Sequence, residues 1–358
     1  MAKKNYQILG VCVLLLLAMS CVKDKPNDSI GNTPSSIGNV YVVCEGSYGS
    51  GNSSLYAFKP AKDSVYGDIY KAANNIPLGD VFQSMTKIGN YFFLVINNSG
   101  KINVVDASTF KMVRAIPIPE PRYVLAVGNN KAYVSTLYSK DIYVINTQSF
   151  TVANKITLPT QNPEGMCLLN GQVVVSSWDT GAGNIYVIDP TTDKIFQTVH
   201  TAGLASQEVL VDKNQLLWVL SGNQPEGKTA TLSHIDPSTG LILDSFTFDK
   251  NINPVKPVFN RTKDTLYFIE ADYYGGLNNN GIYRMGIYEK QLPSQAFIPA
   301  AKYQYFWALG IDPVTGNIYV GDPLGFTQKG IIYIYNSNGT KLYNFNAGLG
   351  PGHFYFDN

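Results

Sequence analysis

Apolar and polar positions alternate along most of this chain with the period of a strand. Seven segments share one form, apolar–x–apolar–x–polar. They are Leu55-Tyr56-Ala57-Phe58-Lys59, Ile102 to Asp106, Ile142-Tyr143-Val144-Ile145-Asn146, Ile185-Tyr186-Val187-Ile188-Asp189, Leu232 to Asp236, Ile282 to Gly286 and Ile332-Tyr333-Ile334-Tyr335-Asn336. Their starts are separated by 47, 40, 43, 47, 50 and 50 residues. A period of about 45 residues built only from strands and turns predicts the blades of a β-propeller. A length of 358 residues would by itself suggest two domains. Seven blades instead account for nearly everything after residue 38 and leave no room for a second domain. The expected fold is all-β, a seven-bladed β-propeller over residues 39–358.

Within each repeat the order is constant, and the recurring segment is the third of four strands, here called A to D. Strand A follows a polar or Pro-containing loop, as at Gln83 to Ile88 or Glu208 to Val211. A short Gly/Asn turn such as Asn170-Gly171 leads to strand B, for example Phe92 to Ile96 or Val173 to Ser176. Strand C then runs through an Asp or Asn turn into strand D, as at Thr151 to Leu158. The first repeat begins at Val40-Tyr41-Val42-Val43, which aligns with a strand B and has no strand A before it. The last residues, Gly352 to Asp357, align with a strand A and have nothing after them. The C-terminal strand is therefore expected to join the first blade and close the ring, removing open edges.

Composition changes the picture at the N-terminus. Lys3 and Lys4 precede an apolar run from Ile8 to Met19, too short to span a bilayer. Leu17-Ala18-Met19-Ser20-Cys21 then resembles a lipobox, so residues 1–20 read as a lipoprotein signal peptide and Cys21 as the lipidated residue. Residues 21–38 are polar, with Pro26 and Pro34, and read as a flexible tether. The expected location is the bacterial outer membrane, lipid-anchored and surface-exposed, with contact to the membrane through the lipid only. Cys44 and Cys167 fall in the first and fourth blades, nearly opposite on the ring, so no disulfide is expected between them. No CxxC occurs and the chain has 3 His, so a Cys/His metal site is not expected.

Charged residues are 15% of the chain and the net charge is +1. That excludes the clustered Lys/Arg footprint of nucleic-acid binding. Any ligand is expected to be gripped by stacking and neutral hydrogen bonds. In a propeller the B–C and D–A loops emerge on one face around the central channel. Here the A–B turns are short, whereas the B–C loops are long and carry Tyr48, Tyr138, Trp178, Tyr273, Tyr274 and Phe326. The D–A loops and the closing strand add Phe82, Gln83, Arg122, Glu164, Gln207, Tyr305, Phe306 and His353. The competing reading of each aromatic is a wedge between blades. As a set, aromatics flanked by glycine and amides suit a ligand face. Glu45, Glu164, Glu208, Glu270, Asp272 and Asp322 lie near the rim but read as loop anchors, and His353 alone is a weak base. His200 and His234 fall in strands D and C, away from the channel. Asp179-x-Gly181-x-Gly183-Asn184 lacks the carboxylates of a calcium loop and reads as a turn. No enzymatic activity is expected.

Several phrases carry a family resemblance. Val43-Cys44-Glu45-Gly46, Leu78 to Met85, Asn97 to Ile102, Gly310 to Val320 and Pro351-Gly352-His353-Phe354 resemble the YncE-like seven-bladed propeller lipoproteins of gut anaerobes, over essentially residues 39 to 358. Cys44 stands where that group usually has Asn. The branch most similar is the BtuG-type surface lipoproteins. The resemblance implies a monomer that captures cobalamin or a related corrinoid as cargo, without a resident cofactor, and passes it to a TonB-dependent outer-membrane transporter. Two other readings remain open: a glycan-binding surface lipoprotein using the same aromatics, and a propeller hydrolase with a metal in its channel.

Overall fold

The computed structural model describes residues 38–271, 280–302 and 304–357. The expected signal peptide, Cys21 as the expected lipidation site, and all of the expected tether but its last residue lie outside the described residues. Among the described residues, no helix is long and apolar enough to cross a membrane.

Seven four-stranded antiparallel sheets form the ring. Strands A to D of blade 2 are Phe82–Ile88, Tyr91–Ile96, Lys101–Asp106 and Met112–Pro117. Blades 3 to 5 repeat that plan, with A strands at Pro121–Gly128, Pro163–Leu169 and Ser206–Val211. In blade 6 strand A is Asn253–Phe259 and strand D shrinks to Ile298–Pro299. Strand A of blade 7 is Ala308–Ile311. Blade 1 takes its strand A from the C-terminus: Pro351–Asp357 pairs with Asn39–Cys44, Tyr355 opposite Tyr41. Its strand D is only Ser64–Tyr66, and the chain returns through a short helix, Ile69–Asn74, that the strand pattern does not foreshadow.

The core is seven apolar clusters, one at each junction between neighbouring blades. Strand B supplies both sides of its blade because successive residues point to opposite faces. Phe92, Leu94 and Ile96 pack toward blade 1, where Tyr41, Val43 and Leu55 meet them. Phe93 and Val95 pack toward blade 3, against Val124 and Val134. In blade 1, Val40 and Val42 face blade 7 and meet Tyr319, Ile332 and Ile334. This double burial explains why strands B read as continuous apolar runs. His234 is buried at the junction of blades 5 and 6. Its ring stacks on Trp218 at 4.4 Å, with its nitrogens 3.4 and 3.5 Å from Asp212 and Asp244. Cys44 is buried and Cys167 half-buried, and both are free thiols.

One turn device recurs where the chain enters strand A. Val81, Glu120, Asn162 and Ala205 each take a left-handed conformation immediately before strand A of blades 2 to 5, with φ of 58°, 41°, 58° and 58°. Each carbonyl accepts an N–H from the end of strand B: from the residue just beyond it at Asn97 (2.8 Å), Leu137 (2.9 Å) and Trp178 (2.8 Å), and from its penultimate residue, Gly222, at 2.9 Å in blade 5. The four D–A turns are thus tied to the start of the B–C loops, which rigidifies one face of the ring.

Candidate functional site

Strand A is the innermost strand of each blade, and in blades 1 to 6 its register against strand B breaks near the top. In blade 2, Phe82 pairs with Ile96 and Ser84 with Val95, leaving Gln83 as the extra residue. The corresponding breaks fall at Arg122–Tyr123, Glu164–Gly165, Gln207 and Lys256–Pro257 in blades 3 to 6, and at Gly352 in blade 1. A β-bulge adds one residue to one strand and re-aims its side chain. Here the bulges send Gln83, Arg122, Glu164, Gln207 and Lys256 to the wall of one cavity.

That cavity is about 760 Å³, and every blade contributes to its lining. Its floor is an ionic network. The Arg122 Nε donates to both Glu164 oxygens at 2.9 Å, its Nη2 donates to Oε1 at 2.6 Å, and its Nη1 donates to Gln83 Oε1 at 2.6 Å. Gln83 and Glu164 are buried at 7% and 4% exposure, so this planar clamp satisfies groups that water barely reaches. Burial pulls the guanidinium pKa down, but Glu164 more than offsets it and Arg122 is held above its ordinary value. Beside the clamp, the Tyr123 hydroxyl donates to Glu208 Oε1 at 3.3 Å. Burial, then the neighbouring Glu164, pushes the Glu208 carboxyl up to about 7. Across the floor the Trp307 indole donates to Glu45 Oε1 at 3.0 Å, and the Lys256 ammonium sits 5.6 Å from the centre of the Trp307 ring. Burial and Lys256 together push His353 down to about 4, so its imidazole is neutral at pH 7.

The rim above is aromatic and amide. Tyr48 and Tyr138 are 80% and 79% exposed. Tyr138 stands in a left-handed conformation, φ 56°, with its N–H bonded to Asn162 Oδ1 at 2.7 Å. Trp178 is half-buried; its indole donates to the Gly222 carbonyl at 3.1 Å, and Gln207 Nε2 donates to the same oxygen at 2.8 Å. Gln224 also lines the cavity, and its Oε1 is buried with no hydrogen-bond partner among the described residues.

Of the residues expected at this face, the cavity brings together Tyr48, Gln83, Tyr138, Glu164, Trp178 and Gln207. Phe82 and Phe306 are corrections: at 0% and 1% exposure they belong to the core between blades, one position short of the residue that turns inward. Tyr305 stacks on Trp307 at 6.2 Å and Phe326 meets the same ring edge-on at 5.8 Å, so both back the wall rather than line it. His353 sits half-buried in the innermost strand of blade 1, outside the lining. Tyr273, Tyr274 and Asp272 lie outside the described residues. The expectation of a charge-poor rim is corrected beneath the rim, where Glu45, Arg122, Glu164, Glu208 and Lys256 line the floor. Lys256, Tyr123, Asn223, Gln224 and Trp307 escaped the sequence reading of the site. The signal for Lys256 was hidden because Pro254 and Pro257 argue against an inner strand there. Asp179 closes its turn by accepting the N–H groups of Gly181 and Gln161, each at 2.9 Å. Among the described residues, no three His, Cys, Asp or Glu are grouped so as to hold a metal ion.

Comparison with known proteins supports the architecture. Hydrazine synthase of Kuenenia stuttgartiensis is similar in fold, with a TM-score of 0.58 and 14% identity over 74% of this chain and 86% of that one. A quinoprotein alcohol dehydrogenase-like protein of Bacteroides thetaiotaomicron VPI-5482 gives a TM-score of 0.67 and 16% identity over 91% of this chain and 80% of its own. At such identities the likeness is one of fold. No curated protein matches the sequence. The family described as a domain of unknown function, DUF5074, matches residues 38–357, which is the entire propeller. The chain belongs to that DUF5074 family.

Proposed function

We propose that the mouth cavity binds cobalamin or a related corrinoid as cargo, on a lipoprotein anchored through Cys21 at the outer-membrane surface, for transfer to a TonB-dependent transporter. The reading treats the propeller as a carrier rather than a catalyst. The observation that carries it is the chemistry of the mouth: a cavity of about 760 Å³ walled by amide side chains, with three aromatics at its rim. A corrinoid is a flat macrocycle fringed by amides. Its faces offer area for stacking, and its edge offers both donors and acceptors to Gln83, Asn97, Asn162 and Gln207. The unpartnered buried Oε1 of Gln224 asks for a donor, which a ligand amide N–H supplies. The bonded D–A turns keep this wall in place before the ligand arrives, which lowers the ordering cost of binding.

The test is direct. Purified protein is incubated with cyanocobalamin, passed through gel filtration and read in the visible region. A red species co-eluting with the protein at micromolar concentration is the expected result; its absence overturns the reading. Trp178→Ala should weaken binding by about 1–3 kcal/mol, as for a central aromatic anchor. A saccharide-array signal in place of corrinoid binding would assign the same aromatics to a glycan.

A further inference from the structure

We infer that Lys256 is the anchor for a single anionic group of the ligand, a phosphodiester or carboxylate, so that the mouth distinguishes a corrinoid carrying its nucleotide tail from one without it. This rests on the corrinoid reading above. The cavity contains two cations, Arg122 and Lys256. Arg122 is spent: four hydrogen bonds tie it to Glu164 and Gln83. Among the described residues Lys256 forms no ion pair; its ammonium sits 5.6 Å from the centre of the Trp307 ring and acts at longer range on Glu208 and His353. A half-buried ammonium in a cavity wall that is not hydrogen-bonded to a carboxylate is open to an anionic group of a ligand.

Its backbone is also an unusual place for lysine. Lys256 is at the blade 6 bulge with φ 54°, a left-handed conformation that costs a side-chain-bearing residue on the order of 1 kcal/mol. The bulge holds that side chain among the cavity-lining residues. Five carboxylates line the same cavity: Glu45, Glu164, Asp179, Glu208 and Glu226. Glu164 is clamped by Arg122, Glu45 accepts from Trp307, and Asp179 accepts two backbone N–H groups. Glu208 is the acid nearest in influence, and its burial favours the neutral form. Among the described residues, Lys256 is therefore the cavity cation that is not hydrogen-bonded to any of these carboxylates. A phosphodiester reaching it would form one charge-assisted contact beside the Trp307 ring.

The experiment measures quenching of tryptophan fluorescence by cyanocobalamin and by cobinamide, which lacks the phosphodiester and nucleotide. Wild type, Lys256→Gln and Lys256→Arg are compared, each checked for an unchanged thermal midpoint. The expected result is that Lys256→Gln weakens cyanocobalamin about ten- to hundredfold and cobinamide less than twofold, and that Lys256→Arg keeps most of the preference. The wild-type preference should also shrink as salt is raised. Equal losses for both corrinoids, or no loss for either, overturns the role of Lys256 and leaves the corrinoid reading standing. Failure of both corrinoids to bind wild type overturns that reading and this inference with it.

Discussion

Deleting residues 351–358 removes the strand that closes the ring, and its effect can be sized from the structure. The strand forms six backbone pairs with Asn39–Cys44. Phe354 is 4% exposed and meets Tyr319 at 5.8 Å, while Phe356 meets the same ring at 5.3 Å. Tyr355 packs on the opposite side, against Phe92 at 5.6 Å. Losing a buried Phe costs about 3–5 kcal/mol; counting the two half-buried rings at roughly half each gives about 6–10 kcal/mol. Domains are typically stable by only about 5–15 kcal/mol. The deletion should therefore leave a chain that melts broadly or is unfolded at 37 °C, since it also exposes the inner edge of Asn39–Cys44. Phe354→Ala is the graded version. At about 2.1 cal/mol/K per residue, a ring of this size loses roughly 1.5 °C per kcal/mol, so the midpoint should fall by about 4–8 °C. Circular dichroism melts and limited proteolysis report both. A deletion variant that melts within a degree of wild type would refute closure as the source of the ring's stability.

Other perturbations probe the mouth. Arg122→Met strands the buried Glu164 carboxylate without its partner and should cost about 3–5 kcal/mol by chemical denaturation, whereas Arg122→Met combined with Glu164→Leu should recover much of it. Glu208→Gln tests the pH dependence: the fold holds this carboxyl at about 7 against an ordinary 4.5, so the folded state keeps its proton longer than the unfolded chain. Its contribution is intact below about pH 4.5 and lost as pH rises through 7, so the variant should gain stability over wild type across that window, by about 2 kcal/mol after allowing for partial solvent access. His353 works oppositely, because a histidine held at about 4 against 6.5 loses stability as pH falls between those values. His353→Gln should therefore flatten the acid side of the melting profile, and an unchanged acid limb would remove His353 from the account.

The ring was legible because each blade buries both faces. That demand leaves a strong mark on the sequence: Phe92 to Ile96 is apolar at every position, and the seven C strands repeat one alternation. Closure was legible too, since an unpaired first strand and an orphan last strand have one economical solution. The site was legible only in part. The exposed rim residues Tyr48 and Tyr138 betray themselves because large aromatics beside glycine, asparagine and serine have no core to fill. The floor is another matter. Arg122, Glu164 and Lys256 owe their direction to single-residue register breaks, and a bulge carries no composition of its own.

Those breaks also explain why neighbouring residues were assigned to the wrong side. In a regular strand, parity alone decides which side chains face the channel. Phe82 and Gln83 are adjacent; one is sealed against blade 1 and the other reaches the Arg122 clamp. Phe306 and Trp307 divide in the same way, one in the blade 6–7 core and the other over Glu45. A reading that places both Phe82 and Gln83 on the rim is half wrong, because the register break turns only Gln83 into the cavity. The left-handed residue before each A strand, seen at Val81, Glu120, Asn162 and Ala205, supplies the missing landmark. Counting two positions from it reaches Gln83, Arg122, Glu164 and Gln207 in four successive blades. Four of the cavity-lining side chains in this propeller thus stand at a fixed offset from a turn, and the apolar periodicity that identifies the fold is silent about them.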